Sequence, residues 1–233
     1  MTATSLTWAQ QDSLPAKKVS FHTIASGYLP YPQLQVINYN LGTEISLKNR
    51  NTININLGYL NKSNPIDNDI FQIKIESTKG FRGQFEVKHY LNRHKLIEPL
   101  IFFSLPHIFQ FKSQAFQNTG YYISGLISYQ NTTSERIETI INYNTTSNQY
   151  LYSNYSVLRN SVSLIAKGGY SCIKSYGLLI DISYGIGAIW LDSKAVNKQT
   201  QQSIYYFSWK NDFDHRQGIF PQVWYQVKLG WVF

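Results

Sequence analysis

The sequence predicts an all-β fold: a closed antiparallel transmembrane β-barrel of eight strands, with short turns at one end and long loops at the other. Three observations predict it. In the closing stretch QVWYQVKLGWVF, Val223, Tyr225, Val227, Leu229, Trp231 and Phe233 alternate with Gln222, Trp224, Gln226, Lys228, Gly230 and Val232. A period of two puts these sets on opposite faces of a strand. Charged residues make up only 15% of the chain, against the ~25% usual in globular proteins. No apolar run approaches the ~20 residues that a spanning helix needs, a limit that does not bear on strands.

The elements follow in order. Val19–Tyr28 is the weakest strand. Val36–Lys48 places Ile37, Tyr39, Leu41, Ile45 and Leu47 on one face. Thr52–Leu60 sets Ile53, Ile55, Leu57 and Tyr59 against Asn54 and Asn56. Gly80–Asn92 sets Phe81, Phe85, Val87 and Leu91 against Arg82, Gln84, Glu86 and Lys88. A fifth strand is expected at Ile97–Lys112, through Ile101, Phe103, Leu105, Phe109 and Phe111. Asn160–Cys172 carries Val162, Leu164, Ala166 and Tyr170; Tyr176–Leu191 carries Leu178, Ile180, Ile182, Tyr184, Ile186 and Trp190. The closing stretch is the eighth.

Tight turns are expected at Asn49–Asn51, Arg93–Leu96 and Ile173–Ser175. They alternate with loops over 29–35, 61–79, 113–159 and 192–218. Within 113–159, Tyr121–Tyr129 and Ile137–Tyr143 read as a hairpin above the membrane, turning at Asn131–Ser134. A ten-stranded wall that includes both is the alternative. Residues 1–18 read as a signal-peptide remnant or disordered N-terminal segment, because Thr7-Trp8-Ala9 precedes Gln10 without a basic or apolar region before it. The barrel is assigned to residues 19–233.

Two arguments orient the faces. Gly42, Ser46, Gly58, Ser163, Gly169, Ser183, Gly185 and Gly187 fall on the polar face, and an eight-stranded barrel has room inside only for side chains that fill it. Within the strands, Asp, Glu, Lys and Arg also fall on that face. A lipid-facing Lys or Arg at mid-bilayer costs ~2–4 kcal/mol. Apolar outside and ionic inside is the expected orientation.

That register aims Glu44, Arg82, Glu86, Lys88, Glu98, Lys112, Lys167, Asp181 and Lys228 into the lumen, four acids and five bases. Buried charges must pair, so a lumen ionic network that fills the barrel is expected. Tyr121, Tyr122, Tyr150, Tyr152 and Tyr155 in the third loop, with Tyr205, Tyr206 and Trp209 in the fourth, form a candidate partner-docking surface, since such side chains dominate contact energetics. An interfacial aromatic girdle is the plainer reading of the same residues.

Other chemistries find little support. Ser104 and His107 are three apart on a strand, so they point to opposite faces. Asn211, Asp212, Asp214 and His215 match no metal-ligand spacing. No metal and no cofactor is expected. The net charge of +8 is scattered along the chain, not gathered into the patch that nucleic acid requires. Cys172 is single and cannot form an internal disulfide.

The run KLGWVF after Pro221 and the stretches GLLIDISYGIGAIW and GFRGQFEVKHYLNR resemble the small OmpA/OmpX-like outer-membrane barrels of Gram-negative bacteria, a group including families of uncharacterised function. The resemblance implies a place in the bacterial outer membrane, among lipid and lipopolysaccharide. It also implies that Tyr225, Val227, Leu229, Trp231 and Phe233 act as the assembly signal read by the barrel-assembly machinery. The implied role is that of a non-catalytic structural or accessory protein, or a subunit docking to other outer-membrane proteins. A lipid-modifying enzyme and a narrow passive channel are the alternatives.

Overall fold

The computed structural model describes residues 19–29, 38–47, 49–62, 73–91, 119–142, 149–173, 177–198 and 216–233. They form eight strands: β1 Val19–Leu29, β2 Asn38–Ser46, β3 Asn51–Lys62, β4 Ile73–Tyr90, β5 Gly120–Asn142, β6 Gln149–Ile173, β7 Leu178–Val196 and β8 Arg216–Val232. Each pairs antiparallel with the next, and β8 pairs with β1 to close the ring. Closure leaves no sheet edge along the paired wall. The β2–β3 hairpin turns through Asn49 and Arg50, both with positive φ, as a tight hairpin with right-handed strand twist demands.

The pleat sorts the side chains as the alternation predicts. On β3, Thr52, Asn54 and Asn56 are buried while Ile55, Leu57 and Tyr59 are exposed. On β4, Arg82, Gln84, Glu86 and Lys88 are buried while Phe81, Phe85 and Val87 are exposed. On β8, Gln222, Trp224, Gln226 and Lys228 face inward while Val223, Val227, Leu229, Trp231 and Phe233 face outward.

The outer belt is bounded by aromatic rings on both edges. Tyr59, Phe81, Tyr129 and Trp190 mark one edge, with Phe81 and Tyr129 ring centres 5.6 Å apart. Phe21, Trp231 and Phe233 mark the other, joined there by the Tyr121–Tyr170 pair at 4.9 Å. Tyr129 lies eight positions after Tyr121 on β5. At ~3.3 Å per residue and a tilt of ~40°, that is roughly 20 Å of height, close to the ~25 Å apolar band of outer-membrane barrels. Between these edges no outward-facing described residue is Asp, Glu, Lys or Arg.

The fifth strand departs from expectation. The place beside β4 is taken by Gly120–Asn142, paired from Tyr90↔Tyr122 to Ile73↔Glu138, and Ile97–Lys112 lies outside the described residues. Its alternation includes Pro99 and Pro106, which cannot donate to a ladder and argue against an interior strand. The expected turn at Asn131–Ser134 is continuous strand, facing Phe81, Gly80, Lys79 and Thr78 on β4. Its polarity marks where β5 leaves the belt, because the outward residues above Tyr129 no longer face hydrocarbon. The ring has eight strands, not ten.

Two corrections to the connections follow. The link at the Arg93–Leu96 position runs from Tyr90 to Gly120, and it lies at the end that holds Val19 and Phe233. The third link at the opposite end shrinks from 113–159 to the residues between Asn142 and Gln149. Above the belt, β5 and β6 continue as paired strands through Asn142↔Gln149, so the barrel wall stands higher on that side.

Candidate functional site in the barrel lumen

Inward positions on β2, β4, β6, β7 and β8 bring six ionic side chains together. Lys88 donates to Glu44 Oε2 at 2.7 Å and to Asp181 Oδ2 at 2.6 Å. Lys167 lies 2.8 Å from Glu86 Oε1, and Lys228 lies 2.9 Å from Glu86 Oε2 and 3.8 Å from Glu44 Oε2. Three ammonium groups thus face three carboxylates, and local charge balances. All six side chains are buried. Removing such ions from water is repaid only when geometry is good and remaining lone pairs are satisfied.

Those lone pairs are satisfied. Glu44 Oε1 accepts from Thr52 Oγ1 and Tyr90 OH, each at 3.0 Å. Glu86 accepts from Asn54 Nδ2 and Ser124 Oγ, each at 2.8 Å. Asp181 Oδ1 accepts from Tyr122 OH at 2.6 Å. Lys167 also donates to Gln226 Oε1 at 2.7 Å. Lys88 Nζ lies 4.4 Å from the centre of the Tyr122 ring, within cation–π range. Every strand from β2 to β8 contributes a partner.

Arg82, two turns of the pleat above Glu86, donates to Gln130 Oε1 from Nε at 3.0 Å and Nη2 at 2.6 Å. Its guanidinium lies 5.9 Å from the Trp224 ring centre. Trp224 packs with Leu126, Ile165 and Ile189 into an apolar layer across the β5–β8 side. Ile173, Leu179 and Val232 form a second apolar cluster toward the end that holds Phe233. Tyr155, Val157 and Ala195 form a third at the other end.

The structure therefore gathers Glu44, Glu86, Lys88, Lys167, Asp181 and Lys228 into one lattice, with Arg82 beside it. Glu98 and Lys112 lie outside the described residues. The aromatic loop set is redistributed. Tyr121 sits on β5 at the lower belt edge, Tyr122 is buried in the lumen, and Tyr155 is buried on β6. These three are wall residues because β5 and β6 replace the expected loop. Tyr150 and Tyr152 lie on β6, while Tyr205, Tyr206 and Trp209 lie outside the described residues. Sequence reasoning missed Tyr90 and Tyr122 as lumen groups, Tyr122 because it was read as part of the third loop, whereas Trp224 already fell on the Lys228 face of the closing strand. Inward parity was the available signal for the two tyrosines.

The described histidines bond asparagines: His22 Nε2 to Asn56 Oδ1 and His89 Nδ1 to Asn51 Oδ1, each at 2.8 Å. Ser104 and His107 lie outside the described residues. No cluster of metal-ligating side chains occurs among the described residues.

Lipid-compatible side chains outside and a paired ionic interior make this an eight-stranded β-barrel of the bacterial outer-membrane type. No family model and no curated protein matches the chain. Among solved structures it is similar to CarO of Acinetobacter baumannii, at 9% identity over 92% of this chain and 97% of that one, with a TM-score of 0.43. CarO2 of the same organism gives 8% identity over 92% and 98%, with a TM-score of 0.44. Ail, the attachment invasion locus protein of Yersinia pestis, solved with the heparin analogue sucrose octasulfate, gives 9% identity over 92% and 95%, with a TM-score of 0.35. CarO and Ail are eight-stranded outer-membrane barrels.

Proposed function

We propose that this protein is a non-catalytic barrel of the bacterial outer membrane, with a lumen closed to ions, serving a structural or accessory role in the envelope. One observation carries this reading: the six-charge lattice joining β2, β4, β6, β7 and β8 across the interior. An eight-stranded interior is only wide enough for side chains, and here those side chains hold one another. A passing ion would have to displace buried partners. The test is conductance of the purified protein in planar bilayers. Baseline current at every applied voltage is the expected result; a stable large conductance overturns the reading.

A docking role rests on a different feature, the wall of β5 and β6 above the belt. Its outward face there carries Asn131, Thr133, Glu135, Asn154 and Ser156, a polar surface outside the hydrocarbon. Mild detergent extraction, with and without Asn154→Arg and Ser156→Arg, tests it. Loss of a co-purifying envelope protein from the double variant is expected if this face docks a partner. An unchanged set of co-purifying proteins counts against it.

A further inference from the structure

The wall is not paired evenly around the ring. β1 and β2 share four ladder rows, from Val19↔Ile45 to His22↔Gly42. Beyond them β1 continues against β8 as far as Leu29↔Val223, and β2 continues against β3 as far as Asn38↔Leu60. Among the described residues no ladder row joins 23–29 to 38–41. The sequence accounts for the break: β2 carries Asn38, Asn40 and Gly42 here and β1 carries Gly27, residue types that strands disfavour.

The unpaired seam lies within the apolar belt. It starts above the rows of Phe21 and His22, and it reaches Tyr39, which faces Tyr59 at the upper aromatic edge. Leu41, on the flank of the seam, is 72% exposed. Hydrocarbon offers no hydrogen bonds to unpaired backbone, so the seam depends on side chains. Two bonds hold it. Extending the β1–β2 register places Ile24 opposite Asn40, and there Asn40 Nδ2 donates to the Ile24 carbonyl at 3.1 Å. A side-chain amide stands in for the ladder, as asparagine is able to do. At the last paired row, His22 Nε2 and Asn56 Oδ1 bond at 2.8 Å, tying β1 to β3 across β2. A Cβ at Gly42 would overlap the Asn56 amide and stand 2.5 Å from His22 Nε2, so only glycine lets this tie pass.

We propose that β1 and β2 part above the tie, as a sideways opening in the wall that Asn40 latches. β1 moves with β8, to which ten rows bind it. The His22–Asn56 tie stops the parting from running downward. Glu44, and with it the ionic lattice, lies on the inward row below that tie. The lattice therefore stays closed while the lumen above it meets the upper part of the belt. The device gives access from the membrane without a path through the barrel.

Spin-label pairs on the whole chain folded into lipid vesicles, in a Cys172→Ser background, test this. Thr23→Cys with Leu41→Cys spans the seam, and Leu57→Cys with Leu41→Cys spans a laddered row of the same strand. Dipolar broadening is expected to show one close population for the laddered pair and an added, separated population for the seam pair. Asn40→Ala should enlarge the separated population and leave the laddered pair unchanged. Amide exchange in the unlabelled protein gives a second readout. The Ile24 amide, on the β2 side with its carbonyl, should exchange about tenfold faster than the His22 amide. Equal broadening of the two pairs in the chain that keeps Asn40, or equal exchange of the two amides, overturns the proposal. So does an Asn40→Ala chain that folds and leaves the seam pair as it was.

Discussion

Lys88 and Asp181 stand 93 positions apart in the chain, yet their charged atoms meet at 2.6 Å with both side chains wholly buried. The contact spans the lumen from β4 to β7, and Lys88 shares its ammonium with Glu44 of β2 at 2.7 Å. Removing Lys88 leaves Asp181 and Glu44 to hold buried charge with less compensation. Breaking one side of a buried pair costs ~3–5 kcal/mol. Lys88→Met is therefore expected to lower unfolding stability by about that amount, read as a shift in the urea midpoint of the detergent-folded protein. Combining it with Asp181→Asn should restore part of the loss, because Glu44 keeps Lys228 at 3.8 Å. Equal stability of Lys88→Met and wild type would show that the lattice is not formed.

Tyr122 is pinned by its bond to Asp181, and that pinning makes Gly169 necessary. A Cβ at Gly169 would stand 2.6 Å from the Tyr122 ring and 2.8 Å from the Ile182 carbonyl oxygen. The ring cannot swing aside without releasing its carboxylate. Gly169→Ala is expected to cost ~1–3 kcal/mol by overpacking. In a Tyr122→Phe background the same substitution should cost less, since the ring then moves without losing a bond. A double-mutant cycle on denaturation midpoints measures the difference, and strict additivity would refute the coupling.

The pattern that specified β3, β4, β7 and β8 was strict alternation over the width of the belt, where lipid on one side and charge on the other punish any exception. The inward positions of Glu44, Arg82, Glu86, Lys88, Lys167, Asp181 and Lys228 follow from parity alone. β5 was illegible for the converse reason. Its upper half faces water on the outside, so Asn131–Ser134 carries no apolar alternation and reads as a turn. Ile97–Lys112, with stronger alternation, drew the assignment away despite Pro99 and Pro106. The partners within the lattice were beyond reach, because pairing across the lumen depends on barrel closure and stagger rather than on any local signal. Tyr90 shows the cost of assuming small residues inside, and Tyr122 the cost of reading β5 as a loop: their hydroxyls complete Glu44 and Asp181.

The lipid face makes a test that depends on depth. Ile186 on β7 is 70% exposed and sits between Tyr184 and Trp190 on the outer belt, whereas Thr133 on β5 lies above Tyr129. Ile186→Arg is expected to cost ~2–4 kcal/mol when the barrel folds into lipid vesicles. Thr133→Arg, outside the hydrocarbon, should stay within about 0.5 kcal/mol of wild type, as surface changes do. The measurement is the folding equilibrium in vesicles under denaturant. A reversed order of the two costs would place the membrane elsewhere on the molecule.

Residues above and below the belt fix which way the barrel points. Thr133 and Asn154 are exposed on the raised wall of β5 and β6, while Asn49 is exposed in the β2–β3 turn, at the end that holds Phe233. In a Cys172→Ser background, single cysteines at these three positions report their side of the membrane to an impermeant maleimide. Thr133→Cys and Asn154→Cys are expected to label on intact cells, and Asn49→Cys only after the outer membrane is opened. Labelling of Thr133→Cys also bears on the chain path, since a β5 lying within the belt to its end would shield that thiol in lipid. If Asn49→Cys labels on intact cells and the other two do not, the barrel is inverted, and the raised wall faces the periplasm, where the docking proposal must then look for its partner.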